Sequence, residues 1–226
     1  MILERAAGLL AESPTGDVST RAVCEAAGVS QPVLYRLFGD KDGLLAAVVD
    51  HVWAQYLGMK RAQERSDDPL VDLLGGWDSH TAFALEHPHA YRLLFGTSLS
   101  ARASSAEEAM ALLRENLERL AAQGRLAVTP EDAARMVLAA NTGVSLALLL
   151  RGDQYPDLSI STRLRDTLYR SLLVDAPAPL DGGTFVAATT LRSALATGAQ
   201  VDLLTSGERG LLDEWLTRLQ QPHRSR

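Results

Sequence analysis

The sequence is short of covalent fastenings. Cys24 is its only cysteine, so no disulfide forms within the chain and no cysteine cluster holds structural zinc. No run of eighteen or more uncharged apolar residues occurs, and Met1 is followed by Ile2, Leu3, Glu4 and Arg5 rather than by a basic stretch and a long apolar one. That pattern predicts a cytoplasmic protein with no membrane partner. Lysine is confined to Lys41 and Lys60, and the formal net charge is −6, which excludes a protein that coats nucleic acid indiscriminately, because non-specific affinity comes from neutralised phosphates. What the chain does have is a 46% apolar fraction over 226 residues, enough for a sizeable core in a small domain joined to a larger one.

The apolar residues recur at helical spacing, and the predicted class is all-α. Ile2, Leu3, Ala6, Leu9 and Leu10 mark a helix over residues 2 to 12, broken by Ser13-Pro14-Thr15-Gly16. Ser19 is placed to cap a helix from Thr20 to Ala27, Gly28 to supply a turn, and Ser30 to cap a second short helix with Pro32 in its first turn. Asp40 then opens a long helix from Lys41 to about Glu64. After the polar Ser66-Asp67-Asp68-Pro69, helices are expected over roughly 70–86, 88–98, 106–123, 130–151 and 157–174. Asp175 to Gly183 reads as a linker, and two further helices over roughly 184–197 and 206–220 follow.

The segment VSTRAVCEAAGVSQPVLYRLFGDKDGLL, Val18 to Leu45, is the most informative. Two helices of two turns each cannot stand alone in water and must pack on a third. Val23, Ala26, Val29, Leu34 and Phe38 are expected in that shared core with Ala6 and Leu10. Gln31, Pro32, Val33, Tyr35 and Arg36 then form a slim outer face of a size to enter a major groove. In these residues the chain resembles the TetR family of bacterial transcription regulators, whose helix-turn-helix ends in a pattern like A-G-V-S-x-x-x-L-Y-x-x-F-x-x-K-x-x-L. Here it stands as Ala27-Gly28-Val29-Ser30, Leu34-Tyr35, Phe38, Lys41 and Leu44. The resemblance implies a DNA-binding domain over residues 1–47 and a helical effector-binding and dimerisation domain over 48–226.

It implies further that Tyr35 and Lys41 meet DNA phosphates and that Thr20 and Arg21 make contacts from the preceding helix. Ser30 and Pro32 stand at the reading helix's start, and base readout rests on Arg21, Gln31, Val33 and Arg36. The chemistry suits these assignments: Gln bridges adenine edges, Arg forks onto guanine, and Val33 offers a methyl surface to thymine. For Lys41 the alternative is a surface ion pair with Asp42, and for Tyr35 a half-buried core position. Residues 1–50 carry four basic against seven acidic side chains, a net of −3, so the reading head is not basic. The family also implies a basic arm ahead of the first helix, and this sequence begins almost at that helix.

The resemblance places a small-molecule pocket beneath the long helix. Candidates for its lining are Trp53, Tyr56, Trp77, His80, Phe83, Tyr91, Phe95, Met110, Met136 and Asn141, each also readable as plain core. Asn141 stands in an apolar stretch where its amide must find a partner. His80, His87 and His89 lack a supporting cysteine or carboxylate spacing, so no metal and no cofactor is expected. A redox role for Cys24 is the alternative to a small buried thiol. A homodimer is expected because one short helix reads only a half-site, and the resemblance implies a pairing surface over 130–151 and 157–174, where Ala139, Ala140, Gly143, Ala147 and Leu148 permit close helix contact. The last helix pair, with Leu211, Leu212, Trp215, Leu216 and Leu219, can provide or extend it. The reading is thus a ligand-responsive repressor, not an enzyme. The rivals are a protein-binding adaptor with a degenerate helix-turn-helix, and a small helical enzyme for which no general base with an orienting partner can be named.

Overall fold

The computed structural model describes residues 1–96, 106–174, 184–196 and 204–220. Eleven α-helices occupy them: α1 (Ile2–Glu12), α2 (Thr20–Ala27), α3 (Gln31–Phe38), α4 (Lys41–Ala62), α5 (Pro69–Glu86), α6 (Pro88–Gly96), α7 (Ala106–Ala122), α8 (Pro130–Leu150), α9 (Ser159–Leu172), α10 (Thr184–Ala196) and α11 (Ser206–Leu219). The fold is all-α. An isolated antiparallel bridge between Leu126 and Leu173 is the one extended pairing among the described residues. The linker expected from Asp175 to Gly183 lies outside the described residues.

Two compact units divide the chain, and neither is continuous in sequence. One comprises Met1–Glu64, Asp78–Ala109 and Asn141–Ser161; the other Arg65–Trp77, Met110–Ala140 and Thr162–Arg226. The first therefore holds α1 to α4, the C-terminal half of α5, α6 and the C-terminal half of α8.

In the first unit, local signals set the helix ends. Ser19 Oγ accepts from Ala22 N at 3.2 Å, and Gly28 closes α2 at φ 66°. Asp40 Oδ1 caps α4 by accepting from Gly43 N at 2.6 Å. Gly43 is a position of close approach: a Cβ there would lie 2.0 Å from the Phe38 carbonyl oxygen. Only glycine lets α4 start so near the end of α3. Ser30 corrects an expectation, for it holds the N-cap position of α3 but its side chain makes no cap hydrogen bond.

The core of the helix-turn-helix is Ala6, Leu10, Val23, Cys24, Ala27, Leu34, Leu44 and Leu45, with Val23 and Leu34 fully buried. Here too the expectation is corrected. Ala26 is exposed and Ala27 takes its place, because α2 buries positions 23, 24 and 27 and turns 26 outward; Val29 and Phe38 are half-buried.

In the second unit, Trp77 meets Tyr169 edge-on at 5.8 Å, and the Tyr169 hydroxyl donates to the Leu73 carbonyl at 3.2 Å. Arg119–Asp72 and Arg125–Asp68 pairs, each at 2.7 Å, tie α7 and the segment after it to the start of α5. Thr129 Oγ1 accepts from Asp132 N at 3.1 Å and so caps α8 as its sequence foretells. Helix α11 opens on a full capping box between Thr205 and Glu208, and Arg192 on α10 holds Asp213 of α11 at 2.8 Å. By length and mean hydropathy (1.6) α8 is the one helix among the described residues that could cross a membrane. Its buried Asn141 and Ser145 hydrogen-bond as core residues do.

Candidate functional site

Helix α3 turns one side chain wholly inward and leaves most of the rest outside. Leu34 is fully buried, while Gln31, Pro32 and Arg36 are exposed, Val33 is half-buried, and Tyr35 is 42% exposed. The tyrosine is thus an outer-face residue, with its hydroxyl 3.5 Å from Thr20 Oγ1. Thr20 and Arg21, at the start of α2, border the same face; Arg21 bonds Glu25 at 2.9 Å with both side chains largely in water. Ser30 is exposed at the head of α3.

Sequence reasoning missed two residues of this surface. Leu37, 57% exposed, continues the outer face of α3, and its spacing from Val33 was the available signal. Asp17 is the other. Lys41, at the first turn of α4, does form an ion pair, but not with its neighbour Asp42: Nζ sits 2.6 Å from Asp17 Oδ1 and 2.7 Å from Oδ2. The Lys41 hydrogen bond is the main cause that holds the Asp17 carboxyl below the usual carboxylate range. Nothing in the local sequence joins residues 17 and 41.

The candidate ligand residues sort into groups. Trp53 and Tyr56 of α4, His80 and Phe83 of α5, and Tyr91 and Phe95 of α6 form one aromatic cluster in the first unit. Trp53 lies 4.9 to 5.6 Å, centroid to centroid, from Tyr56, Phe83, Phe95 and His80. His80 Nε2 and the Tyr91 hydroxyl are 2.7 Å apart. Burial, with the nearby Lys60 charge adding to it, pushes the His80 pKa down to about 3, so the imidazole is neutral at physiological pH. Burial likewise pushes the Tyr91 hydroxyl up to about 12, and lowers the Lys60 ammonium, which lies over the Tyr56 ring at 5.5 Å.

Asn141 belongs to the same unit and is 3% exposed; its Oδ1 accepts from Thr81 Oγ1 at 3.1 Å and from Ser145 Oγ at 3.3 Å. One partner, Thr81, comes from the neighbouring α5 and the other, Ser145, from the next turn of α8 itself; both are small hydroxyl residues whose role the sequence did not announce. Three other candidates belong to the second unit. Trp77 packs on Tyr169 in the second unit, Met110 is half-buried there, and Met136 is 42% exposed on the outside of α8. Met136 thus lies on an exposed side of α8, a facing its period did not announce because the stretch from Met136 to Leu150 is largely apolar.

The histidines go separate ways. His80 bonds Tyr91, His87 stacks on Phe83 at 4.9 Å, and His89 Nδ1 meets an Arg92 guanidinium nitrogen at 2.9 Å. Among the described residues no group of three or more His, Cys, Asp or Glu is placed to hold a metal ion. Cys24 is a buried free thiol.

Two helices of eight residues, joined through Gly28 and set on a buried support with Gln31, Tyr35 and Arg36 on the outer face, define a helix-turn-helix protein of the DNA-binding class. Comparison with known proteins makes the class specific. A family model described as bacterial regulatory proteins, tetR family, matches residues 2–48, and one described as tetracyclin repressor-like, C-terminal domain, matches residues 73–157. The chain belongs to the TetR family of transcription regulators.

Among solved structures, a TetR-family transcriptional regulator from Pectobacterium atrosepticum is 24% identical, with a TM-score of 0.59 over 77% of this chain and 93% of that one. The transcriptional regulator FadR from Bacillus subtilis, in complex with stearoyl-CoA, is 14% identical, with a TM-score of 0.60 over 74% and 96%. NalD, the secondary repressor of the MexAB-OprM multidrug efflux pump in Pseudomonas aeruginosa, is 21% identical, with a TM-score of 0.53 over 77% and 94%. At these identities the likeness is one of fold. No curated protein matches the chain.

Proposed function

We propose that this protein is a homodimeric, cytoplasmic repressor that binds operator DNA through residues 1–47 and is released by a small apolar effector bound within residues 48–226. The observation that carries the reading is the outer face of α3, where Gln31, Pro32, Tyr35 and Arg36 stand in solvent on a helix anchored by a wholly buried Leu34. Gln31, Val33 and Arg36 read base edges with Arg21, while Thr20, Ser30, Tyr35 and Lys41 hold phosphates. Arg21 leaves Glu25 at little cost, since so exposed a pair is weak.

One such helix spans a half-site, and two must lie about one helical turn of DNA apart, roughly 34 Å. A two-fold mate is therefore required. Helix α8 supports this with an outward stripe of Met136, Ala139, Gly143 and Leu150, whose small members permit close helix approach. Ala140 and Ala147 flank it half-buried, whereas Leu148 turns inward.

For the effector, the cluster of Trp53, Tyr56, His80, Phe83, Tyr91 and Phe95 offers ring surfaces and one neutral imidazole, which suits an apolar ligand carrying a single hydrogen-bonding group. Asn141 lies in the same unit, while Trp77, Met110 and Met136 belong to the second unit. Repression is the expected output, as it is for NalD, the secondary repressor of an efflux pump.

The test is selection of binding sites from a pool of random-sequence duplex DNA, followed by footprinting. The wild type should enrich a palindromic site, and Tyr35→Ala and Lys41→Ala should lose it while keeping helicity and oligomeric state. Failure to enrich any sequence would sink the reading.

A further inference from the structure

An acid already occupies the lysine that the proposed function gives to a DNA phosphate. Both oxygens of the Asp17 carboxylate lie within 2.7 Å of Lys41 Nζ, using donors that a phosphate would otherwise take. The acid is held in place. Val18 N–H donates to its Oδ1 at 2.8 Å, and Ser13 Oγ both accepts from Asp17 N at 3.2 Å and donates to the Asp17 carbonyl at 2.7 Å. Next to it, Gly16 packs against His89 of α6 so tightly that a Cβ would lie 2.6 Å from Nδ1.

A loop clamped in this way presents a carboxylate where a phosphodiester oxygen would arrive. The pair itself is 41% and 58% exposed, and so open an ion pair adds little to the stability of a fold. Its effect falls instead on whatever else seeks the ammonium. An incoming phosphate must displace Asp17 or sit beside a second anion, and either lowers the gain from the contact.

We propose that Asp17 is an internal competitor for the DNA phosphate at Lys41, which sets the operator affinity of each reading head below what the lysine alone would give. This rests on the reading of α3 and Lys41 as DNA-binding. The experiment measures the affinity of full-length wild type, Asp17→Asn, Asp42→Asn, Lys41→Met and the Asp17→Asn/Lys41→Met double variant for a duplex that the wild type has enriched from random-sequence DNA. Asparagine keeps an acceptor for Val18 N–H, and Asp17→Ser gives a second uncharged variant should helicity fall. Asp42 is exposed next to Lys41 and controls for bulk charge.

Asp17→Asn should tighten binding about two- to fivefold per head beyond the change seen for Asp42→Asn, the range expected for freeing one exposed ion pair. The gain should vanish in the Lys41→Met background. Equal effects of the two asparagine variants, or a gain that persists without Lys41, would overturn the proposal and reduce Asp17 to a share of the head's net charge. A wild type that enriches no duplex would instead bring down the DNA-binding reading itself, an outcome distinct from a wild type that binds and a variant that binds no better.

Discussion

Acidification should loosen this protein before its carboxylates titrate, and His80 is the reason. The imidazole is 7% exposed, ringed by Trp53, Tyr56, Tyr91 and Phe95, and its pKa falls from 6.5 to about 3 because burial penalises the cation. A histidine whose folded pKa is depressed binds its proton in the unfolded chain first. Its contribution to stability is therefore present above pH 6.5 and is lost as pH falls from 6.5 toward 3. Each pH unit inside that window costs about 1.4 kcal/mol, so between pH 7.5 and 4.5 the loss is about 3 kcal/mol. Against a typical stability of about 5–15 kcal/mol that is a large fraction. Urea unfolding followed by circular dichroism at pH 7.5, 6.0 and 4.5 measures it. The paired variant is His80→Gln, whose amide can still bond the Tyr91 hydroxyl but cannot take up a proton. Wild type should lose stability steadily across the series and His80→Gln should lose about 3 kcal/mol less. Equal slopes in the two proteins would refute a buried neutral imidazole as the cause.

Three further outcomes follow from the geometry. Leu34→Ala removes the one wholly buried side chain of α3 and should cost about 2–5 kcal/mol, read as a lower melting temperature; no change would mean that α3 is anchored elsewhere. Gly16→Ala places a Cβ at φ 71° and 2.6 Å from His89 Nδ1, and should cost more than about 1 kcal/mol in urea unfolding, with only the steric part recovered by adding His89→Ala. Met136→Arg combined with Gly143→Arg puts two guanidinium groups on the outward stripe of α8 and should yield a helical monomer by sedimentation equilibrium, whereas an intact dimer would move the pairing surface to another helix, such as α11 with its exposed Leu211, Trp215 and Leu219.

Helix ends were legible because they are written in local chemistry. Ser19, Gly28, Asp40 and the Thr129-Pro130 pair act through hydrogen bonds and backbone preferences within a few residues, and the structure places them at helix boundaries. The family resemblance was legible for the same reason: Leu34, Tyr35, Phe38 and Lys41 belong to one contiguous stretch. Facing was harder to read. Ala26 and Ala27 are chemically identical neighbours, and only the third helix decides which is buried. On α8, largely apolar from Met136 onward, the period could not distinguish Met136, which points out, from Val137, which is 4% exposed. Trp77 and Phe83 share α5, yet the helix is divided between two compact units after Trp77, a division no periodicity records. The Asp17–Lys41 pair joins positions 24 residues apart, and an ion pair between exposed side chains leaves no trace in either local sequence.

Helix α6 links the two parts of the first unit on which the proposed function depends. On one side Tyr91 and Phe95 enter the aromatic cluster, 4.6 Å apart; on the other His89, braced by Arg92, is the seat of Gly16. Asp17, the next residue, holds Lys41. Because the rings already touch one another, an effector among them has to part α4, α5 and α6, and α6 is the shortest of the three. A ligand shifts an equilibrium only by its differential affinity for the two arrangements, so for effector binding to reach Lys41 the arrangement with parted rings has to be the one with the Gly16 loop displaced. Linkage then runs in both directions: by whatever factor bound effector lowers DNA affinity, bound DNA lowers effector affinity.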